Sequence, residues 1–252
     1  MIEIKHLYKS FEDKDVLIDI NAVFEDGKTN LIIGQSGSGK TVLMKNIVGL
    51  FVPTSGQILY DGRDFIGMTK REQVLIRREM GMIFQSAALF DSMSVLENVM
   101  FPLEMFSDDC QADRIRRAKF CLERVNLKGA ENKLPGEISG GMQKRVAIAR
   151  AIALNPKYLF CDEPNSGLDP KTSLVIDELI HDITQEYKMT TIINTHDMNS
   201  VMGIGDSIIY IYQGHKEWEG TKDQVFSATN QRLNDFIFAS DLLKKVKEEG
   251  TK

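Results

Sequence analysis

The chain has 252 residues, a formal net charge of −5 and three cysteines, long enough to bury one elaborated α/β core without covalent staples. Acids and bases are interspersed, which argues against a duplex-DNA surface, so no nucleic acid is expected as a partner. The odd cysteine count without metal-ligand spacing, and no signal-peptide pattern at the start, point to a reducing cytosol. The longest apolar runs, such as Ser207–Tyr212, fall far short of the roughly 20 residues a membrane helix needs.

Taken in order, Ile2, Ile4 and Leu7, then Leu17, Ile18, Ile20 and Val23, alternate with polar residues up to the turn signal Asp26-Gly27 and predict antiparallel sheet. Phe11 lies in this stretch, either as an ordinary half-buried strand aromatic or as a platform for a nucleotide base. Residues 30–33 then predict a buried strand and residues 41–50 a helix. Between them Gly34-Gln35-Ser36-Gly37-Ser38-Gly39-Lys40-Thr41 fits G-x-x-x-x-G-K-[ST] at every fixed position. In that strand–loop–helix setting the glycines turn successive backbone N–H groups toward one hollow, and the helix start adds positive potential. Polyphosphate belongs there, with Lys40 on the β- and γ-phosphates and the Thr41 hydroxyl on Mg²⁺.

Residues 57–62 predict a strand and turn, and Thr69-x-x-Glu72 a capping box opening a basic helix through Arg78. Residues 82–84 form a short strand delivering Gln85, which is either a surface glutamine or a contact to metal and water. Ser94-x-x-Glu97 caps a helix expected to close at Pro102, and a charged helix follows through residues 114–124. Leu89, Phe90, Met93, Phe101 and Phe106 are read either as internal packing or as a docking groove for a partner helix.

Ser139 is a natural N-cap for an amphipathic helix through Val146, Ala149 and Ile152, and Gly140 and Gly141 leave backbone donors open to a second anion. With one phosphate loop per chain, the economical arrangement is a head-to-tail pair of chains sharing each site. Residues 158–161 predict a buried parallel strand ending in Asp162-Glu163: Asp162 for Mg²⁺, Glu163 to polarise the attacking water. Pro170 opens a helix with apolar positions 174, 175, 179, 180 and 183, and Thr190–Thr195 forms another core strand presenting His196 for the γ-phosphate or for holding Glu163 and the water. Sheet returns at Ser207–Tyr212, turns at residues 213–215, and gives way to helix through Phe236, Phe238, Leu242 and Leu243.

These motifs together resemble the ATPase subunit of ATP-binding-cassette transporters over about residues 1–225. The phosphate loop, Gln85, Ser139-Gly140-Gly141, Asp162-Glu163, Ser166-Gly167-Leu168-Asp169 and His196 occur in the family's order and at its spacing. The resemblance implies an α/β P-loop NTPase with a RecA-like core, an N-terminal antiparallel β subdomain and an inserted helical subdomain over about 86–150. Residues 226–252 are left as a C-terminal helical tail. It also implies ATP and Mg²⁺ as ligands, Phe11 as the adenine-stacking aromatic, and Gln85 as a metal and water contact coupled to a partner. Ile138 and Met142 depart from the family's Leu-Ser-Gly-Gly-Gln, and Met142 cannot make the amide's hydrogen bonds.

Methionine at 142 and the segment 84–103 resemble the Mla/Mce branch, which moves phospholipids between bacterial envelope membranes. That likeness implies a homodimer with composite ATP sites beneath integral-membrane permease subunits, an Mce-domain lipid-binding protein beyond them, and a peripheral place on the cytoplasmic face of the inner membrane. The alternatives are a soluble cassette ATPase of an assembly machine, such as iron–sulfur cluster assembly, and a cassette for another cargo, a lipoprotein or an amino acid.

Overall fold

The computed structural model describes residues 1–12 and 14–238. The chain divides into two compact units, Met1–Gly67 with Ile192–Lys252, and Met68–Thr191. In order, the elements are β1 (Ile2–Phe11), β2 (Lys14–Phe24), β3 (Thr29–Ile33), α1 (Lys40–Ile47), β4 (Ser55–Tyr60) and β5 (Arg63–Asp64) in the first unit. The second holds α2 (Lys70–Arg78), β6 (Met80–Ile83), α3 (Val95–Phe106), α4 (Gln111–Arg124), a 3₁₀ turn (Pro135–Glu137), α5 (Gly140–Ala151), β7 (Tyr158–Asp162) and α6 (Pro170–Tyr187). The division falls within β8 (Thr190–Thr195), after which α7 (Met198–Ile204), β9 (Ser207–Tyr212), β10 (His215–Gly220), α8 (Lys222–Phe226) and α9 (Gln231–Ile237) return to the first unit.

In the first unit the alternating N-terminal pattern forms an antiparallel sheet of order β2-β1-β4-β5. Ile2, Ile4, Leu7, Leu17 and Ile20 are fully or almost fully buried; the strict alternation is broken by irregularities in the β1–β2 register, the first between Ile4 and Leu7, and the expected inward Val23 is exposed while Ala22 and Phe24 are buried. β3 is buried at all five positions and lies parallel to β9, from Asn30↔Ser207 to Ile33↔Tyr210, with β10 antiparallel on the far side of β9. A strand covered on both faces reads as a continuous apolar run rather than an alternating one. Asn230 caps α9 by accepting from the Leu233 N–H at 3.0 Å, and Phe236 stacks on Tyr210 at 5.4 Å. The tail helix expected through Leu242 and Leu243 lies outside the described residues.

In the second unit β6 and β7 pair in parallel, from Met80↔Tyr158 to Ile83↔Cys161. Both predicted capping boxes form: Thr69 with Glu72 opens α2, and Ser94 with Glu97 opens α3, each reciprocal pair satisfying two N–H groups that the helix itself leaves unpaired. Pro102 does not close α3, which continues to Phe106. The lost backbone bond is outweighed by the apolar face it would interrupt, since Val95, Val99, Met100 and Leu103 are all buried. Asn98, fully buried, exchanges hydrogen bonds with Phe90 in both directions and donates to the carbonyls of Met93 and Ser94, pinning the turn before the helix.

Two further expectations are corrected. α5 is not amphipathic: Lys144, Val146, Ala147, Ile148, Ala149 and Ala151 are all buried, because alanines let neighbours approach it closely from several sides. In α6 the inward stripe is Ser173, Ile176, Asp177, Ile180, Ile183 and Thr184, while Leu174 is exposed. Two of the buried polar groups on this stripe find partners in the fold: Thr184 bonds the Ile180 carbonyl and the Thr191 hydroxyl, and Asp177 accepts from Asn165 at 2.7 Å. Their polarity disguised the true face. The three cysteines are all unpaired: Cys110 is exposed at the start of α4, and Cys121 and Cys161 are buried.

Candidate active site

The phosphate loop follows β3 and enters α1 as expected. At Gly34 φ is +153°, and a Cβ there would lie 2.3 Å from the Ile211 carbonyl oxygen; at Gly39, the N-cap of α1, φ is +112° and a Cβ would crowd Leu17 and the Val16 carbonyl at 3.0 and 3.1 Å. Both positions are therefore closed to other residues. The turn after β9 braces the loop from outside, the Gly214 N–H donating to the Ser38 carbonyl at 3.0 Å and its own carbonyl accepting from Ile18 at 2.9 Å.

Inside the loop Lys40 is 6% exposed, and its ammonium donates to the carbonyls of Gly34 at 2.7 Å and Gln35 at 3.0 Å. The buried Ser38 hydroxyl has no protein partner, a cost that persists unless a ligand oxygen meets it. Gln35, Ser36, Gly37 and Thr41 are exposed. Phe11, 40% exposed, meets Phe51 edge-on at 5.3 Å, and the Lys9 ammonium sits 4.6 Å from its ring centre. This aromatic corner can present a face to a base. His196 is exposed just beyond β8, and Asp197 beside it caps α7 by accepting from the Asn199 N–H at 2.8 Å.

In the second unit Asp162 ends β7, and Glu163 follows with φ +47°, a left-handed conformation that costs a side-chain-bearing residue about 1 kcal/mol or more. The Gln85 amide donates to the Glu163 carboxylate at 3.3 Å and to the Ser166 hydroxyl at 3.0 Å. The fold thus brings together Gln85 and Glu163, two residues picked separately from sequence, and adds Ser166.

Ser139 is the N-cap of α5, its hydroxyl accepting from the Met142 N–H at 3.3 Å. It opens with Gly140 and Gly141 onto a concavity of about 750 Å³ that also takes in Arg145, Leu168 and Asp169. A Cβ at Gly141 would lie 2.8 Å from Thr172 Cγ2, so only glycine lets the start of α5 pack this closely on α6. Asp169 caps α6, and hydrogen bonds from the Thr172 hydroxyl and N–H hold its carboxyl below the usual range. Sequence reasoning had not connected residues 167–169 with Ser139; Asp169-Pro170 as a cap-plus-proline helix start was the available signal.

A second concavity, about 520 Å³ and largely apolar, is lined by Met80, Met82, Phe84, Phe90, Phe101 and Phe106, with Ala88, Pro102, Arg150 and Leu154 among its further walls. Of the five apolar residues singled out in sequence, Phe90, Phe101 and Phe106 line this groove, and Leu89 and Met93 do not.

The sequence profile of the family described as ABC transporter matches residues 17–166. The chain belongs to the ABC transporter family. The cassette is 38% identical to the intermembrane phospholipid transport system ATP-binding protein MlaF of Haemophilus influenzae, over 94% of this chain and 90% of that one. It is 36% identical to the probable ribonucleotide transport ATP-binding protein mkl of Mycobacterium leprae, over 94% of this chain and 68% of that one. Among solved structures, the dimeric cassette MJ0796 superposes with a TM-score of 0.80 at 33% identity, covering 88% of this chain and 99% of that one. The same cassette has been solved dimeric in a post-hydrolysis state with ADP and phosphate. The cassette is an ATPase acting on ATP with Mg²⁺. The residues of each unit fit these ligands by their chemistry: in the first, the unpartnered buried Ser38 hydroxyl and the buried Lys40 ammonium would suit phosphate oxygens, and Thr41 carries a hydroxyl; in the second, Gln85 and Asp162 carry oxygens of the kind Mg²⁺ accepts.

Proposed function

We propose that this cassette drives phospholipid transport between bacterial envelope membranes, as a homodimer beneath integral-membrane permease subunits that work with an Mce-domain lipid-binding protein. The observation that carries the cargo is the 38% identity to MlaF across 90% of that protein's length. No helix among the described residues is long and apolar enough to cross a membrane. Attachment at the cytoplasmic face of the inner membrane is therefore assigned to the permease, and the groove of Phe84, Phe90, Phe101 and Phe106 is the seat for one of its helices. Residues 1–225 are the cassette, with a helical subdomain over about 86–150 and a tail from 226.

In this reading Phe11 stacks on adenine, and the N–H groups of residues 34–41 cradle the phosphates. Lys40 leaves its loop carbonyls for the β- and γ-phosphates. Thr41, Asp162 and Gln85 are the residues that would hold Mg²⁺, which would supply positive charge to offset that of the phosphate oxygens. Glu163 takes a proton from the attacking water, and His196 steadies the γ-phosphate and that water. Ser139, Gly140 and Gly141 close on the nucleotide bound by the partner copy, so each site is shared.

Purification from membranes tests the cargo. The cassette is expected to bring down a multispanning permease with bound phospholipid, and a soluble scaffold complex in its place would refute the proposal. The 36% identity to a cassette named for ribonucleotide transport supports a second reading, another cargo for the same motor; a permease carrying no lipid would favour it.

A further inference from the structure

We propose that Lys144 is a positioning residue that passes movement of the Ser139–Gly141 end of α5 to Gln85. The inference rests on the reading of Gln85 and Ser139 as nucleotide-facing. Lys144 lies in the second turn of α5, only 5% exposed, and its ammonium donates to the backbone carbonyl of Gln85. Two turns further along, Arg150 donates to the carbonyls of Ala87 and Ala88, both at 2.8 Å. One rigid helix therefore grips three carbonyls of the short loop between β6 and α3.

That loop is under strain: Ala87 and Ala88 have φ of +60° and +48°, left-handed values that alanine avoids and that hold only where surroundings impose them. Stability alone does not account for Lys144. A buried ammonium bonded to a neutral carbonyl bears a desolvation cost that an uncharged side chain of equal length avoids, and burial does push its pKa down. The geometry does account for it. The backbone of Gln85 is tied to α5, and its side chain is tied to Glu163 and Ser166. A shift or rotation of α5 as its N-terminal end meets a nucleotide moves the Gln85 carbonyl, and with it the amide that contacts the Glu163 carboxylate. Closure at Ser139 is thereby signalled to the base within the same chain.

The test is a double-mutant cycle on the full chain, measuring steady-state ATP hydrolysis with Mg²⁺. Lys144→Met keeps the unbranched stem, without the terminal ammonium, and so removes the donor. It is expected to lower kcat about ten- to hundredfold, the scale on which misplacing a catalytic group acts, with KM for ATP little changed and with Lys144→Arg restoring most of the rate. In a Gln85→Ala background, Lys144→Met is expected to cost little more, because the two act through one path. Full additivity of the two losses, or a wild-type kcat in Lys144→Met, overturns the proposal. Should Lys144→Met fail to fold, Lys144→Leu, which likewise has no donor, carries the same cycle and the same criteria. If Gln85→Ala alone leaves kcat unchanged, the underlying role of Gln85 fails and this inference with it. A slow Gln85→Ala beside a normal Lys144→Met rejects the lysine link only.

Discussion

Glu163→Gln is expected to lower ATP turnover by about 10²- to 10⁴-fold, the range over which a positioned general base acts, while ATP binding persists. The substitution is close to isosteric, and a glutamine oxygen at 163 still accepts the hydrogen bond that the Gln85 amide now gives to the carboxylate at 3.3 Å. The left-handed backbone at this position, φ +47°, is no harder for glutamine than for glutamate. What disappears is the capacity to take a proton. With hydrolysis blocked and binding intact, two copies should accumulate as an ATP-loaded dimer, read by light scattering with and without nucleotide. A hydrolysis rate equal to that of the unmodified chain would falsify the assignment of Glu163 as base.

Lys40→Ala should weaken ATP binding by about ten- to more than a hundredfold, from the loss of charge-assisted hydrogen bonds of about 1.5–3 kcal/mol each. The nucleotide-free loop tolerates the change better than its burial suggests. The ammonium serves two loop carbonyls, at 2.7 and 3.0 Å, whereas the loop's shape is held independently by Gly34 against Ile211 and by the Gly214 N–H on Ser38. Thermal unfolding should therefore shift far less than affinity does, and titration calorimetry with ATP and ADP measures the loss. Undiminished affinity for both nucleotides would mean that the ammonium never leaves those carbonyls.

How much of this was legible in the sequence follows the range of the interactions involved. The phosphate loop, the caps at Thr69, Ser94 and Ser139, the helix start at Pro170, and the buried strands β3 and β7 are set by chemistry within a few residues, and all could be read in advance. Pro102 misled because its local preference to end a helix yields to the apolar face of α3, which depends on residues distant in the chain. The inward stripe of α6 was misread for a related reason: Ser173, Asp177 and Thr184 look solvent-facing, and only the surrounding fold buries them. Among site residues, Gln85 and Glu163 were picked for separate reasons, and nothing in their spacing reveals that their side chains touch. Lys144 and Arg150 were indistinguishable from ordinary cations on a helix, since their partners are backbone carbonyls, which carry no residue-type signature.

The cysteines have a practical consequence. Burial pushes the Cys121 thiol up to about 11 and the Cys161 thiol higher still, so neither offers thiolate to a reagent near neutral pH. Cys110 is exposed, its sulfur donating to Asp113 at 3.1 Å. A maleimide spin label should consequently attach once per chain without any engineering. In a pair of copies the two labels form one ruler, and electron paramagnetic resonance would then follow separation and approach of the helical regions through successive turnovers of the native polypeptide.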